Sequence, residues 1–355
     1  MLNSLYNLLL VFALLYQAPA DFDSLSAKAA QARDGNQLDT AVQLYRQAVE
    51  LRPQWAEGWW YLGTIAFDRE QYAEAAISLS KVTALAPKDA NAFAMLGLSE
   101  IKLDKNQDAL GHLTKALDLG VGDEGNMRHV VLFNQATLFL SNGNFGRAQS
   151  ILDQLAQQTG TNDDDFLLTL GRAVLGVPSP VEKRHDAMIA AGRAEVLAAN
   201  HETQPALAAY ADLVRHFPKL HNVEFAYGRF LLDNHMDDQA VAAFKREIEN
   251  TPQHLLARLG IAGALLATDP SSGLPYAQQA AKLAPKLSES HYLLGATLLA
   301  TKHPPLAIGE LETARSLNPH DPRVYFELAK AYKLLHRDSD AAQARAKFAQ
   351  LSPNQ

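Results

Sequence analysis

The chain has 355 residues, 48% of them hydrophobic and 20% charged, with a net charge of −7. That composition buries a core instead of staying disordered, and the acidic balance argues against nucleic acid as a partner. Cysteine is absent, which excludes disulfides, thiolate zinc sites, thiol catalysis and lipidation through cysteine.

Residues 1–20 read as an export signal peptide. Residues 8–16 form an uninterrupted apolar run, too short for the roughly 20 residues that span a bilayer. Gln17-Ala18-Pro19-Ala20 then offers a small-residue cleavage site after Ala20. Cleavage there predicts a periplasmic or secreted mature chain without a transmembrane span, and the absence of any N-x-Ser/Thr sequon fits a bacterial exported protein. No Lys or Arg precedes the apolar run, so an apolar first helix in a cytoplasmic protein is the competing reading.

Beyond Ala20 the prolines set a period. Pro53 and Pro87 stand 34 apart, and Pro218, Pro252, Pro285, Pro319 and Pro353 follow one another at 34, 33, 34 and 34. Twelve residues before each comes a small residue: Ala41, Ala75, Ala206, Ala240, Gly273, Ala307 and Ala341. Eight before it there is usually a bulky one: Tyr45, Leu79, Tyr210, Phe244 and Leu311. Spacings of three and four mark one face of a helix. An upstream helix recurs as Trp59-x-x-Leu62-Gly63, Phe93-x-x-Leu96-Gly97, His291-x-x-Leu294-Gly295 and Tyr325-x-x-Leu328-Ala329. Turn residues such as Asp34-Gly35-Asn36 and Asn142-Gly143-Asn144 separate the two helices. The small residues let paired backbones approach, and the bulky ones fill the space beside them.

This pattern resembles the tetratricopeptide repeat. The resemblance implies an all-α, right-handed superhelical solenoid of antiparallel helix pairs, each pair burying its apolar face only against its neighbours. Nine repeats and about nineteen helices are predicted: four repeats over 21–162 and five over 187–355. Residues 163–186 break the phase, with Asp163, Asp164 and Asp165, a single unpaired helix, and a proline-rich turn at 178–180. Residues 21–186 hold 15 basic and 22 acidic side chains against 17 and 17 in 187–355, which also carries nine of the twelve histidines. Such asymmetry is what two arrays with different partners would show, and equally what a solvated surface shows.

No motif carries catalysis. Gly120-Val121-Gly122-Asp123-Glu124-Gly125 has dinucleotide-loop spacing, but it follows a helix instead of a strand and is read as a helix stop. The aspartate triplet lacks the alternating ligands of a calcium loop and is read as a helix cap. His216 and His221 flank a turn, and His201, His235 and His303 lie in or beside turns, where solvated histidine is expected. No catalytic, cofactor-binding or metal-binding residue is therefore predicted, and no cofactor.

The resemblance places the first helix of each repeat along a concave groove. The groove stripe reads Trp60, Thr64 and Phe67, then Phe133, then Phe225 and Arg229, then Tyr292, then Phe326, Lys330 and Lys333. A row of aromatics with scattered polar groups suits an extended peptide or a partner helix. The resulting expectation is a non-enzymatic, monomeric interaction scaffold. Its chaperone-tail-binding relatives use Lys, Asn and Arg where this chain has Ser26, Ala30 and Tyr61, which argues against that class of ligand. The alternative is an enzyme or enzyme accessory with a cryptic carboxylate or histidine site in the groove or at residues 160–186. A strongly perturbed Asp, Glu or His in a pocket would favour it. The last helix, 339–351, is expected to act as its own cap, with Phe348 buried against Leu328 or Tyr332.

Overall fold

The computed structural model describes residues 21–122, 126–178 and 184–352. The export signal expected at 1–20, most of the proline-rich turn expected at 178–180, and Pro353 lie outside them. The described residues hold nineteen α-helices and no strand, and no helix among them is long and apolar enough to cross a membrane. The chain forms two compact units, one ending at Asn142 and one starting at Gly143. The first contains α1 (Phe22–Asp34), α2 (Leu38–Leu51), α3 (Ala56–Asp68), α4 (Tyr72–Leu85), α5 (Ala90–Lys102), α6 (Asn106–Asp118) and α7 (Met127–Ser141). The second contains α8 (Phe145–Thr159), α9 (Asp164–Leu175), α10 (His185–Ala199), α11 (Thr203–His216), α12 (Val223–Asp233), α13 (Asp237–Asn250), α14 (Leu255–Leu265), α15 (Pro270–Leu283), α16 (Ser288–Ala300), α17 (Pro304–Leu317), α18 (Pro322–Leu334) and α19 (Asp338–Leu351).

One backbone device closes most hairpins. A single residue turns left-handed between the paired helices: Asn36, Glu70, Asp104, His201, His235, Lys302 and His336 all have φ between 55° and 64°. The next N–H reaches back five residues, as from Gln37 to the Ala32 carbonyl at 2.7 Å and from His303 to the Leu298 carbonyl at 2.8 Å. These bonds satisfy carbonyls that a helix end leaves open. Three histidines occupy this position because the turn puts their side chains in water. Gly120 (φ 82°) ends α6 in a related way, with Val121 N–H on the Ala116 carbonyl at 3.0 Å. Residues 123–125 of that glycine-rich stretch lie outside the described set.

Packing follows the small-against-bulky rule. A Cβ on Gly63 would sit 2.7 Å from Leu79 Cγ, and one on Gly295 would sit 2.6 Å from Leu311 Cγ. Phe244 on α13 presses against two glycines at once, Gly228 of α12 and Gly260 of α14. Tyr45, Leu79, Tyr210, Phe244 and Leu311, the residues eight before each proline, are all buried. At densities near crystalline packing there is no room for an added methyl at these glycines.

Two expectations need correction. Asp163 does cap α9, accepting from Phe166 N–H at 3.0 Å, with Asp164 and Asp165 in the first turn. The helix it starts is not unpaired, however. α9 lies against α10 so closely that a Cβ on Gly171 would overlap the Met188 carbonyl, and one on Gly192 the Leu167 carbonyl. Proline spacing does not register this pair, because small residues on facing helices set the contact. The second correction concerns Phe348. It is half-buried, not buried, and its ring meets Phe326 at 5.5 Å instead of entering the Leu328–Tyr332 core. On α19 only Ala341 and Ala344 are buried. Arg345 stands where most other repeats carry a large core residue, so the end helix turns a polar face outward.

Candidate functional site

The groove residues split between the two units. In the first, Trp60 and Phe67 are half-buried against a core of Ala66, Leu79, Met95 and Leu96, and Phe67 meets Tyr72 edge-on at 5.5 Å. The Thr64 hydroxyl donates to its own helix, to the Trp60 carbonyl at 3.1 Å. Phe133 is half-buried on α7. In the second unit, Tyr292 lies under the Arg323 guanidinium at 4.5 Å. Phe326 is 47% exposed, with the Lys330 ammonium 5.1 Å from its ring centre. Lys330 also pairs with Glu327 at 2.9 Å, and Lys333 with Asp338 at 2.8 Å. Phe326 and Lys330 thus touch each other.

Arg229 belongs to a different kind of arrangement. Its guanidinium donates to Gln149 Oε1 at 2.9 Å and to Glu195 Oε1 at 3.2 Å. Gln149 Nε2 donates to the same Glu195 oxygen at 2.6 Å, and the Tyr210 hydroxyl donates to Glu195 Oε2. Four helices, α8, α10, α11 and α12, are joined through one buried carboxylate. Asp153, one turn after Gln149 on α8, has an Oδ1 buried without any hydrogen-bond partner. Burial, reinforced by the Glu195 charge and only partly offset by Arg229, pushes its pKa up to about 8. Burial, with Glu195 next to it, also holds the Tyr210 hydroxyl well above the ordinary tyrosine value. Burial opposes the Arg229 charge, but Glu195, Tyr210 and Asp153 outweigh it and raise its pKa. Of this group the sequence singled out Arg229 for the groove and Tyr210 for the core. Gln149, Asp153 and Glu195 were missed, and no local signal marks them.

A cleft of about 430 Å³ opens beside this cluster, within the second unit. Phe145, Phe225, Leu256, Gln149 and Arg229 line it, with His221 and His254. Phe225 stacks near His254 at 4.8 Å and Phe244 at 5.8 Å. His221, Glu247 and His254 bring one ligand atom each within 4.8 Å of one another, a spacing a metal ion could use. Their hydrogen bonds argue for another role. His254 Nδ1 accepts from Ala257 N–H at 3.0 Å, so the neutral ring carries its proton on Nε2, which donates to Asn222 Oδ1 at 2.7 Å. Ligation through Nε2 would require either an imidazolate or loss of the Ala257 bond. Burial first, then the neighbouring His221, lowers the His254 pKa to about 4 and keeps the ring neutral. Glu247 accepts from the N–H groups of Asn222 and Phe225 and from the Thr251 hydroxyl. The trio is a hydrogen-bonded junction that caps α12 and α14, and it does not fit a metal.

Stacked helical hairpins of this geometry define an all-α repeat protein. A family model described as tetratricopeptide repeat matches residues 27–90. Among solved structures, MamA 41-end from Desulfovibrio magneticus RS-1 is similar at 19% identity over 48% of this chain and 96% of that one, with a TM-score of 0.45. YrrB, described as a TPR protein with an unusual peptide-binding site, is similar at 18% identity over 49% of this chain and 90% of that one, with a TM-score of 0.43. No curated protein matches the chain in sequence.

Proposed function

We propose that this chain is a non-enzymatic interaction scaffold of nine repeats, exported from a bacterial cell, that holds peptide segments or helices of partner proteins. The observation that carries the reading is the aromatic row on the first helices. Trp60, Phe67, Phe133, Phe225 and Tyr292 keep part of their surface open, and Phe326 is exposed. Partly desolvated aromatics beside Thr64, Arg229, Lys330 and Lys333 are what a peptide-holding surface uses. The test is a peptide array probed with the full chain and with a Phe326→Ala, Lys330→Glu variant. Loss of peptides from the variant's profile supports the reading, and identical profiles with no specific peptide in either refute it. Sequencing of the natural protein's N-terminus decides export: a start at Asp21 supports cleavage after Ala20.

A second reading, an enzyme or enzyme accessory, has one observation in its favour: the raised pKa of Asp153 beside Glu195. The unpartnered Asp153 oxygen is buried, and Glu195 already accepts from Gln149, Tyr210 and Arg229. The cluster is therefore read as structural. A hydrolase activity that Asp153→Asn abolished without unfolding the chain would reverse that.

A further inference from the structure

We propose that the cleft beside Arg229 docks a partner segment that presents a carboxylate side chain next to a bulky aliphatic or aromatic one. The inference rests on the scaffold reading and names the partner chemistry for one place in it.

Three observations converge. The first is size: about 430 Å³ holds a pair of side chains and falls within the usual range for ligand pockets of about 300–1,000 Å³. The second is an uncovered apolar wall. Phe145 and Phe225 are half-buried, and Leu256 at the rim is 53% exposed, although it belongs to an ordered helix. The third is charge. The chain carries 39 acidic residues against 32 basic ones, yet no Asp or Glu lines this cleft. Its one permanent charge is Arg229, whose side chain keeps 38% of its surface open.

Arg229 is paired with Glu195 at 3.2 Å, and what it offers a partner is its unused N–H donors. Glu195 is saturated by Gln149, Tyr210 and Arg229, and Glu247 by two backbone N–H groups and Thr251. Asp153 keeps its proton near neutral pH. Gln149 and Glu195 take two of the five guanidinium N–H groups, which leaves donors for an incoming carboxylate in a charge-assisted bond. A segment bearing Lys in the same place would bring like charge against Arg229. His254, held neutral, adds a flat ring without charge beside Phe225.

The test is fluorescence anisotropy with the full chain and three short labelled peptides that differ only in a Leu-Glu-Phe, Leu-Gln-Phe or Leu-Lys-Phe core. The Glu peptide should bind, the Gln peptide about tenfold more weakly, and the Lys peptide weakest. Arg229→Met should erase the preference for Glu over Gln. Because Arg229 also ties α12 to α8 and α10, and its loss perturbs that junction as well, Leu256→Asp is the second variant. It sits on the rim and should abolish binding of the Glu peptide with an unchanged circular dichroism spectrum. Equal binding of all three peptides, binding of none, or an unaffected Leu256→Asp variant each overturns the site. Binding that survives Leu256→Asp but is lost in the Phe326→Ala, Lys330→Glu variant overturns the site and leaves the scaffold reading standing.

Discussion

Replacing Asp153 with Asn is expected to stabilise the second unit, and by more as pH rises. An aspartate in the unfolded chain gives up its proton near pH 4, whereas Asp153 in the folded protein keeps it up to about pH 8. Between those values the folded state binds more protons than the unfolded state, so stability falls as pH increases and levels off above about 8. Each unit of such a shift corresponds to about 1.4 kcal/mol, which sets an upper bound of roughly 5–6 kcal/mol across the window. Water entry and side-chain adjustment reduce this, and about 2–4 kcal/mol at pH 7 is the expected gain. Asn has the same shape and no charge to bury, and it leaves Glu195 with its existing donors. The assay is urea unfolding of both proteins at pH 4, 6 and 8.5, with amide exchange across residues 145–233 to localise the change. Repeat arrays need not unfold in one step, so the exchange data assign the effect to the cluster. The two proteins should match at pH 4 and diverge above it. A variant less stable than the parent at pH 7, or a difference that does not vary with pH, would refute the reasoning.

Other substitutions probe other links. Gly171→Ala should cost at least about 3 kcal/mol, because the new methyl meets a backbone carbonyl that cannot swing away, and exchange should rise across α9 and α10. Lys302→Gly should raise stability by about 1 kcal/mol by relieving a left-handed backbone at φ 64°, read from the denaturant midpoint. Phe348→Ala should cost about 1–2 kcal/mol, below the 3–5 typical of a fully buried phenylalanine, since the ring is half-buried against Phe326. Faster exchange confined to α18 and α19 is the expected signature.

The hairpins were legible because the same physical demand recurs. Each pair needs a close approach, a filler and a stop, and Ala75, Leu79 and Pro87 supply them in one unit as Ala307, Leu311 and Pro319 do in another. Repetition turned a weak single-helix signal into a strong one. The closeness of α9 and α10 was not legible, because it depends on Gly171 and Gly192 facing each other, and nothing near either glycine says which helix it will meet. Phe348 was misplaced for a related reason. With Arg345 in the core-filling position, the final helix buries less than its predecessors, and the ring settles on Phe326 instead.

The candidate site was illegible in a more basic way, and the phase break explains why. In a regular array each helix meets its sequence neighbours, so contacting positions recur at a fixed spacing. The additional helix α9 disturbs this. Gln149 on α8 hydrogen-bonds Glu195 on α10, 46 residues away, and Arg229 on α12 reaches Gln149 across 80. This junction buries a carboxylate and an amide beside a phenol and a guanidinium. They are tolerable only because Glu195 receives donors from three of them. Of the four, the repeat flags Tyr210 as a core filler and Arg229 as a groove residue, but Gln149 and Glu195 occupy no position that it flags. The same disturbance leaves α8, α9, α12 and α14 around a cleft whose mouth carries an unburied Leu256. Sites where local rules fail while the fold persists are where function is expected. In this chain the cleft proposed to dock a carboxylate-bearing segment lies beside such a break in the repeat.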